Sequence, residues 1–182
     1  MRMKNIANLL FEAKMLKEIP RSGYQFLGAG NESVAEHCFS VTFIAYVMSR
    51  MEPDVDAMRL ISMCLIHDLP EARIGDLNTV NKKYLKADES KALGDTIKGL
   101  AFGQDLTDLF KEFSDGRSLE AKLAHDADQL ALILELKDLK DIGYKPPETW
   151  IGNVIGRLET ETGQKIARAV MDTCRDEWWR DE

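Results

Sequence analysis

Three histidines and the carboxylates beside them are the residues whose types and spacing could do chemistry. His37 stands in SVAEHCFSV, and His67 is followed at once by Asp68 in CLIHDLPEA. His125 opens HDADQLALIL, where Asp126 and Asp128 come next. Imidazole nitrogens and carboxylate oxygens brought into one pocket suit a borderline divalent transition ion. Whether these groups meet depends on the elements that carry them.

Apolar residues recur at helical spacing almost throughout. Ile6, Leu9, Leu10, Ala13 and Leu16 form one stripe over 4–18, and Pro20 stops that helix in the Gly-rich PRSGYQFLGAGN. Ser33 with Glu36 three residues on is a capping-box pattern, opening a helix that runs to Met51. After Pro53, Asp54 or Asp56 caps AMRLISMCLIHDL, apolar nearly all round and expected to be the central helix. Pro70 disfavours α conformation at Leu69, so His67 and Asp68 fall in a last helical turn. Neighbouring residues on a helix diverge by about 100°, but at a helix end both can still reach one ion beside the axis. Ile61, Met63, Cys64, Leu65 and Ile66 lead into the doublet. A carboxylate in such surroundings is costly unless it is paired or binds a metal.

EARIGDLNTVNKKY reads as a short turn and a loop. Helices are expected again at 88–100, 104–113, 117–141, 147–158 and 160–179. Nothing alternates with period two, and no repeat, low-complexity tract or linker is visible. The expectation is an all-α protein, one domain over residues 1–182.

Periodicity leaves choices open. Asp128 shares a helix face with Ala121, Ala124, Ala131 and Leu132, whereas Asp126 is equally surrounded by Leu119, Leu123, Leu130 and Ile133. His37 stands among Val34, Ala35, Val41 and Ile44, where a lone histidine is most often a satisfied core residue. An isolated His–Asp doublet is most often a polar helix end.

Bulk properties narrow the function classes. A chain of 182 residues, 45% apolar and 30% charged, has the length and balance for one well-cored domain. Net charge −7 argues against binding a nucleic-acid polymer or a membrane surface. It leaves a small phosphorylated substrate open, because a metal and one or two local Arg or Lys residues reverse the field inside a pocket. Cys38, Cys64 and Cys174 are an odd, widely spaced set rather than a disulfide framework. No secretory signal is visible in MRMKNIANLLFEAKMLKEI, and no apolar run approaches the ~20 residues that span a bilayer. A cytoplasmic location is expected.

Taken in order, LKEIPRSGY, ESVAEH, HDLPEARIGDL, DADQL and RLETETGQKIA resemble the HD-domain metal-dependent phosphohydrolase superfamily, in its 5′-deoxynucleotidase-like branch. The stretches cover nearly the whole chain, and the spacing HD-x-x-E-x-x-x-x-D is more specific than the doublet alone. The resemblance implies an HD-domain helical bundle in which His37, His67, Asp68 and Asp128 ligate one divalent metal (Mn, Co, Fe, Ni, Zn or Mg). It prefers Asp128 to Asp126 and leaves His125 as a helix-surface residue, with Cys38 and Cys64 filling core space. Four protein ligands on an octahedral ion leave two positions, one for water and one for a phosphate oxygen. The resemblance makes Glu71 the residue that positions or deprotonates the attacking water, with Asp76 assisting. It gives Asp76 and Thr79 contacts to the substrate and makes Arg21 the phosphate ligand. Gly75 would let the backbone approach closely.

The implied reaction is hydrolysis of a nucleoside 5′-monophosphate to nucleoside and phosphate, by a homodimer. The alternatives are another HD phosphohydrolase, acting on a triphosphate or a phosphodiester, and a non-catalytic nucleotide-binding module. Ala72 after Glu71 departs from the HDxxED pattern of (p)ppGpp hydrolases, and the three histidines and the lone GYK at Gly143 do not fit an HD-GYP enzyme. Ser22 stands where bacterial 5′-deoxynucleotidases of this type carry a tryptophan linked to deoxyribose selection. Tyr24, two residues on, could stack on sugar or base, or simply pack. Trp178 and Trp179 in DEWWRDE are expected to dock on the core or on a second subunit.

Overall fold

A computed structural model describes residues 3–180. The amphipathic N-terminal stripe forms α1 (Met3–Met15), which tightens into a 3-10 turn at Leu16–Glu18. The Gly-rich loop holds one helical turn, α2 (Tyr24–Leu27). A bridge between Pro20 and Ser33 ties the loop's two ends together. There Arg21 N donates to Glu32 O at 2.8 Å, and Val34 N donates to Ile19 O at 2.9 Å.

α3 (Val34–Met51) starts at the expected capping box, with Ser33 and Glu36 each accepting from the other's backbone. Asp56, not Asp54, caps α4 (Ala57–Ile66), its side chain accepting from Arg59 N. α4 ends three residues before Leu69, and His67 to Pro70 form a turn. The stretch expected as turn and loop contains two single-turn helices, α5 (Glu71–Ile74) and α6 (Asn81–Tyr84). α7 (Glu89–Thr96), α8 (Gly103–Asp115), α9 (Leu119–Asp141), α10 (Pro147–Ile155) and α11 (Glu161–Asp172) follow. No named strand occurs among the described residues, so the all-α expectation holds.

The hub of the bundle is α9, not α4. α9 packs against α3, α4, α8, α10 and α11 and buries Leu123, Leu130, Ile133 and Leu136 completely. α4 leaves Met58 and Leu65 exposed, so its all-round apolarity does not mean all-round burial. The C-terminal helix expected to reach 179 stops at Asp172. Thr173 is extended, its carbonyl accepts from Lys137 Nζ at 2.8 Å, and Arg175 N donates to Asp141 Oδ2 at 2.9 Å. Those bonds fasten the turn to the end of α9 and divert the chain from helix. Trp178 and Trp179 lie in a short 3-10 turn (Glu177–Trp179) and are exposed, so neither docks on the core.

Candidate metal centre

The end of α4, the first turns of α3 and the middle of α9 meet at one point. His37 is buried on α3 and His67 caps α4. His67 Nδ1 lies 2.8 Å from Cys64 O, the carbonyl one turn back. A proton held there leaves the Nε2 lone pair to face the cluster. His37 Nε2 is 2.9 Å from Asp128 Oδ1 and 3.7 Å from Asp68 Oδ2, and His67 Nε2 is 3.1 Å from Asp68 Oδ2. One donor atom each from His37, His67 and Asp128 lies within 4.8 Å of the others.

This convergence fits a cation. The Nε2 atoms of His37 and His67 are buried without a hydrogen-bond partner, despite carboxylate oxygens about them. Donor atoms that crowd together without aligning on one another are disposed toward a common central point. Two nitrogens and two carboxylates are also a donor set for a borderline divalent ion. Electrostatics agree. Burial alone would lift the Asp128 carboxyl, but the imidazole of His37 beside it, with His67 and Arg21, holds it well below the usual carboxylate range. Burial opposes charge on His67 as well, yet neighbouring Asp68 outweighs it and carries the imidazole up to about 9.

The two acids of DAD, which periodicity could not separate, have different fates. Asp126 is fully buried on the opposite side of α9 from the cluster. Its Oδ1 accepts from Glu159 N at 2.8 Å, and its Oδ2 accepts from Thr160 N at 2.8 Å and Thr160 Oγ1 at 2.6 Å. Gly163 is required there, since a Cβ at that position would stand 2.2 Å from Asp126 Oδ2. Asp126 is therefore a structural clasp between α9 and α11. His125 is likewise outside the cluster, but it is not a free surface residue. Its ring stacks on Phe113 at 4.2 Å, and its Nε2 meets Phe113 O at 2.8 Å.

The other expected residues line the cleft that holds the cluster. Arg21 Nη1 reaches Asp68 Oδ2 at 3.3 Å. Glu71 opens α5 and has one buried carboxylate oxygen without a partner. Burial, reinforced by the charges of Asp68 and Asp76, pushes the Glu71 carboxyl up to about 8. Asp76 is fastened to the Arg21 loop: Ser22 N and Oγ donate to its Oδ2 at 2.6 and 3.2 Å. Gly75 precedes it at φ +74°, the left-handed region, with nothing within 4 Å of a Cβ. The positive φ is by itself a reason for glycine here. Thr79 lies exposed at the mouth of the same cleft. That cleft, of about 480 Å³, is lined by Arg21, Tyr24, His37, Asp68, Glu71, Asp76 and Asp128, with Trp150 and Arg157 from the α10 side.

Tyr24 is pinned rather than free: its hydroxyl donates to Glu135 Oε2 at 3.0 Å and also meets Glu32 Oε2 at 3.4 Å. Glu32 was not signalled by sequence pattern. It is buried, 3.9 Å from His37 Nδ1, and burial together with Glu135 pushes it up to about 7. Its position directly before the Ser33 cap was the available clue. Cys38 and Cys64 are buried and unpaired, as expected of core thiols. Cys38 nonetheless brings its sulfur within 4.8 Å of donor atoms on His67 and Asp68.

The chain is similar to known proteins in sequence and in fold. The sequence model of the HD domain family matches residues 13–170. The chain is 24% identical to the 5′-deoxynucleotidase HDDC2 of Bos taurus, over 94% of this chain and 92% of that protein. It is 26% identical to the Homo sapiens 5′-deoxynucleotidase HDDC2, over 86% of each. Among solved structures, a conserved hypothetical protein from Pyrococcus furiosus superposes with a TM-score of 0.80 at 31% identity, covering 92% of this chain and 99% of that one. A predicted metal-dependent phosphohydrolase from Magnetospirillum magnetotacticum gives 0.72 at 22% identity, over 94% and 91%, a likeness of fold.

Proposed function

The chain belongs to the HD domain family, and from that premise we propose that it is a metal-dependent phosphomonoesterase for nucleoside 5′-monophosphates, deoxyribonucleotides foremost. The relatives named 5′-deoxynucleotidase support the substrate class. The observation that carries the reading is the pair of buried, unpartnered Nε2 atoms of His37 and His67, facing Asp68 and Asp128 at the floor of a cleft that also holds Arg21 and Glu71.

His37, His67, Asp68 and Asp128 would hold the ion. A divalent metal supplies Lewis-acid polarisation of the phosphoryl group and lowers the pKa of water. The rest falls to the protein's own side chains. Arg21, braced by Asp68, offers its guanidinium fork to the phosphate and offsets charge that develops on its oxygens. Glu71, partly buried with an unpartnered oxygen, takes the proton from the attacking water. Asp76, in the lining of the same cleft, orients that water or a sugar hydroxyl, with Thr79 nearby in the chain and in the lining. Tyr24 and Trp150 flank the cleft beyond the phosphate position and give a nucleoside apolar surface to lie against.

The same reading takes residues 1–182 as one domain, working as a cytoplasmic homodimer on a small substrate rather than on a nucleic-acid polymer or membrane. The unpaired thiols Cys38 and Cys64 suit a reducing compartment. No described helix is long and apolar enough to cross a membrane. Phosphate release from ribo- and deoxyribonucleoside monophosphates, assayed with each of Mn, Co, Fe, Ni, Zn and Mg, tests the activity. Binding of nucleotide without turnover under any of these ions would reject it in favour of a regulatory module.

A further inference from the structure

α3 presents one face to the metal centre and core, and another to solvent. The solvent face is not polar. Phe39, Phe43 and Tyr46 are 72%, 58% and 52% exposed, and Val47 and Met51 continue the row. The rings form a continuous strip, with Phe39 and Phe43 stacked at 6.3 Å and Phe43 and Tyr46 tilted at 6.4 Å. At roughly 200 Å² per aromatic side chain, the three rings leave about 350 Å² open. That approaches half of the ~800 Å² each partner contributes to a standard interface.

The strip has a symmetry. Its residues recur at heptad spacing, with Glu36 seven before Phe43 and Arg50 seven after it. Phe39 stands four before Phe43 and Val47 four after. A second α3 laid antiparallel about a two-fold axis at Phe43 would bring Phe39 against Val47, and Glu36 against Arg50, twice over. An isologous contact demands such self-complementarity. Charge at the strip's ends agrees. A groove beside Phe39 is lined by Glu32, Glu36 and Glu135 against a single cation, Lys17, and it is there that the second copy's Arg50 would arrive. The Glu36 carboxylate accepts from the Ser33 amide and hydroxyl at 2.7 Å each, which holds it at the end of the strip.

We propose that the exposed face of α3 is a homodimer interface, two copies packing antiparallel about Phe43 with Arg50 of each in the acidic groove of the other. This gives a surface to the homodimer of the preceding reading and does not depend on the reaction catalysed.

The test is position-specific cross-linking, with solution mass as its frame. Light scattering of the full chain should give twice the 20.6 kDa chain mass at micromolar concentration. Phe43→Glu should weaken association by about 100-fold, the scale of losing a central aromatic, while circular dichroism and phosphate release show an intact fold. In a Cys174→Ser background, Phe43→Cys should form a disulfide-linked dimer on mild oxidation. Phe39→Cys alone should not, because its two copies stand about 12 Å apart along the axis, whereas Phe39→Cys with Val47→Cys should. Arg50→Glu should weaken the dimer several-fold, and adding Glu36→Arg should restore it. A monomer at these concentrations overturns both the homodimer and its surface. A dimer insensitive to Phe43→Glu, or one that cross-links through Phe39→Cys and not Phe43→Cys, overturns the surface alone.

Discussion

Ser22 holds Asp76 by two hydrogen bonds, its amide 2.6 Å and its hydroxyl 3.2 Å from Oδ2. The residue next to Arg21, the proposed phosphate ligand, thus fixes Asp76 in the lining of the cleft. The two bonds tie the Arg21 loop to Asp76. Ser22→Ala keeps the amide bond and loses the hydroxyl bond. About 1 kcal/mol of positioning is lost, so kcat/KM should fall roughly 3–10-fold with metal affinity unchanged. Asp76→Asn removes the charge itself and should cost about 100-fold. Steady-state kinetics beside a metal titration checks both; equal effects of the two variants would mean that Asp76 matters only as an anchor.

Glu71, the proposed general base, should set the acid limb of the pH profile. Burial and the charges of Asp68 and Asp76 raise its carboxyl above the ordinary 4.5, up to about 8 in the metal-free protein. A cation bound beside it lowers that value again, since opposite charge favours the ionised form. A general base works only when ionised, so kcat/KM should rise with pH through a midpoint between 4.5 and 8. Glu71→Gln should remove at least about 100-fold of the rate and flatten the limb, with metal still bound. A limb that survives in Glu71→Gln would assign it to another group.

Metal uptake should release protons and stabilise the fold more as pH rises. His67 is carried from 6.5 up to about 9, and Glu71 also lies above its ordinary value. A raised folded-state pKa gives stability that is complete below the unfolded value and is lost as pH rises through the folded one. For His67 that window is pH 6.5 to about 9, so the metal-free protein should melt lower across it. Metal binds the deprotonated imidazole, and its stabilising increment should grow over the same window. At a hundredfold excess over Kd the increment is about 2.7 kcal/mol, roughly 5–10 °C for a chain of this size. Melting with and without Mn, before and after chelation, measures it. An increment independent of pH would exclude His67 as a ligand that gives up a proton.

Much of this was legible in the sequence because it depends on local rules. The capping box at Ser33–Glu36 fixed the start of α3, and so the depth of His37. Pro70 marked the end of the turn that lets His67 and Asp68 point together. Other features are settled by tertiary contacts that periodicity does not encode. α9 became the hub because five helices pack around it, although its charge pattern looks less buried than that of α4. Thr173 leaves the helix because Lys137 and Asp141, more than thirty residues away, bind its turn. Glu32 and the pinned hydroxyl of Tyr24 are visible only once the Gly-rich loop is folded against α3 and α9.

The pair Asp126 and Asp128 offers the sharpest separation of structure from chemistry. Two residues apart on α9, they resemble each other in sequence, but Asp126 accepts three hydrogen bonds from Glu159 and Thr160 while Asp128 faces His37. Asp126→Ala leaves buried donors unsatisfied and should cost about 3 kcal/mol, lowering the melting temperature by roughly 6–12 °C. It should do so equally with and without metal, so the metal-induced rise survives. Asp128→Ala removes a proposed ligand and should weaken metal binding by more than about 100-fold, beyond what loss of an outer hydrogen-bond partner costs. The metal-induced rise should vanish. Melting of the two variants with and without Mn, beside elemental analysis of each, reads out the crossed pattern. If Asp126→Ala abolished the rise and Asp128→Ala left it, the assignment of the two acids would have to be exchanged.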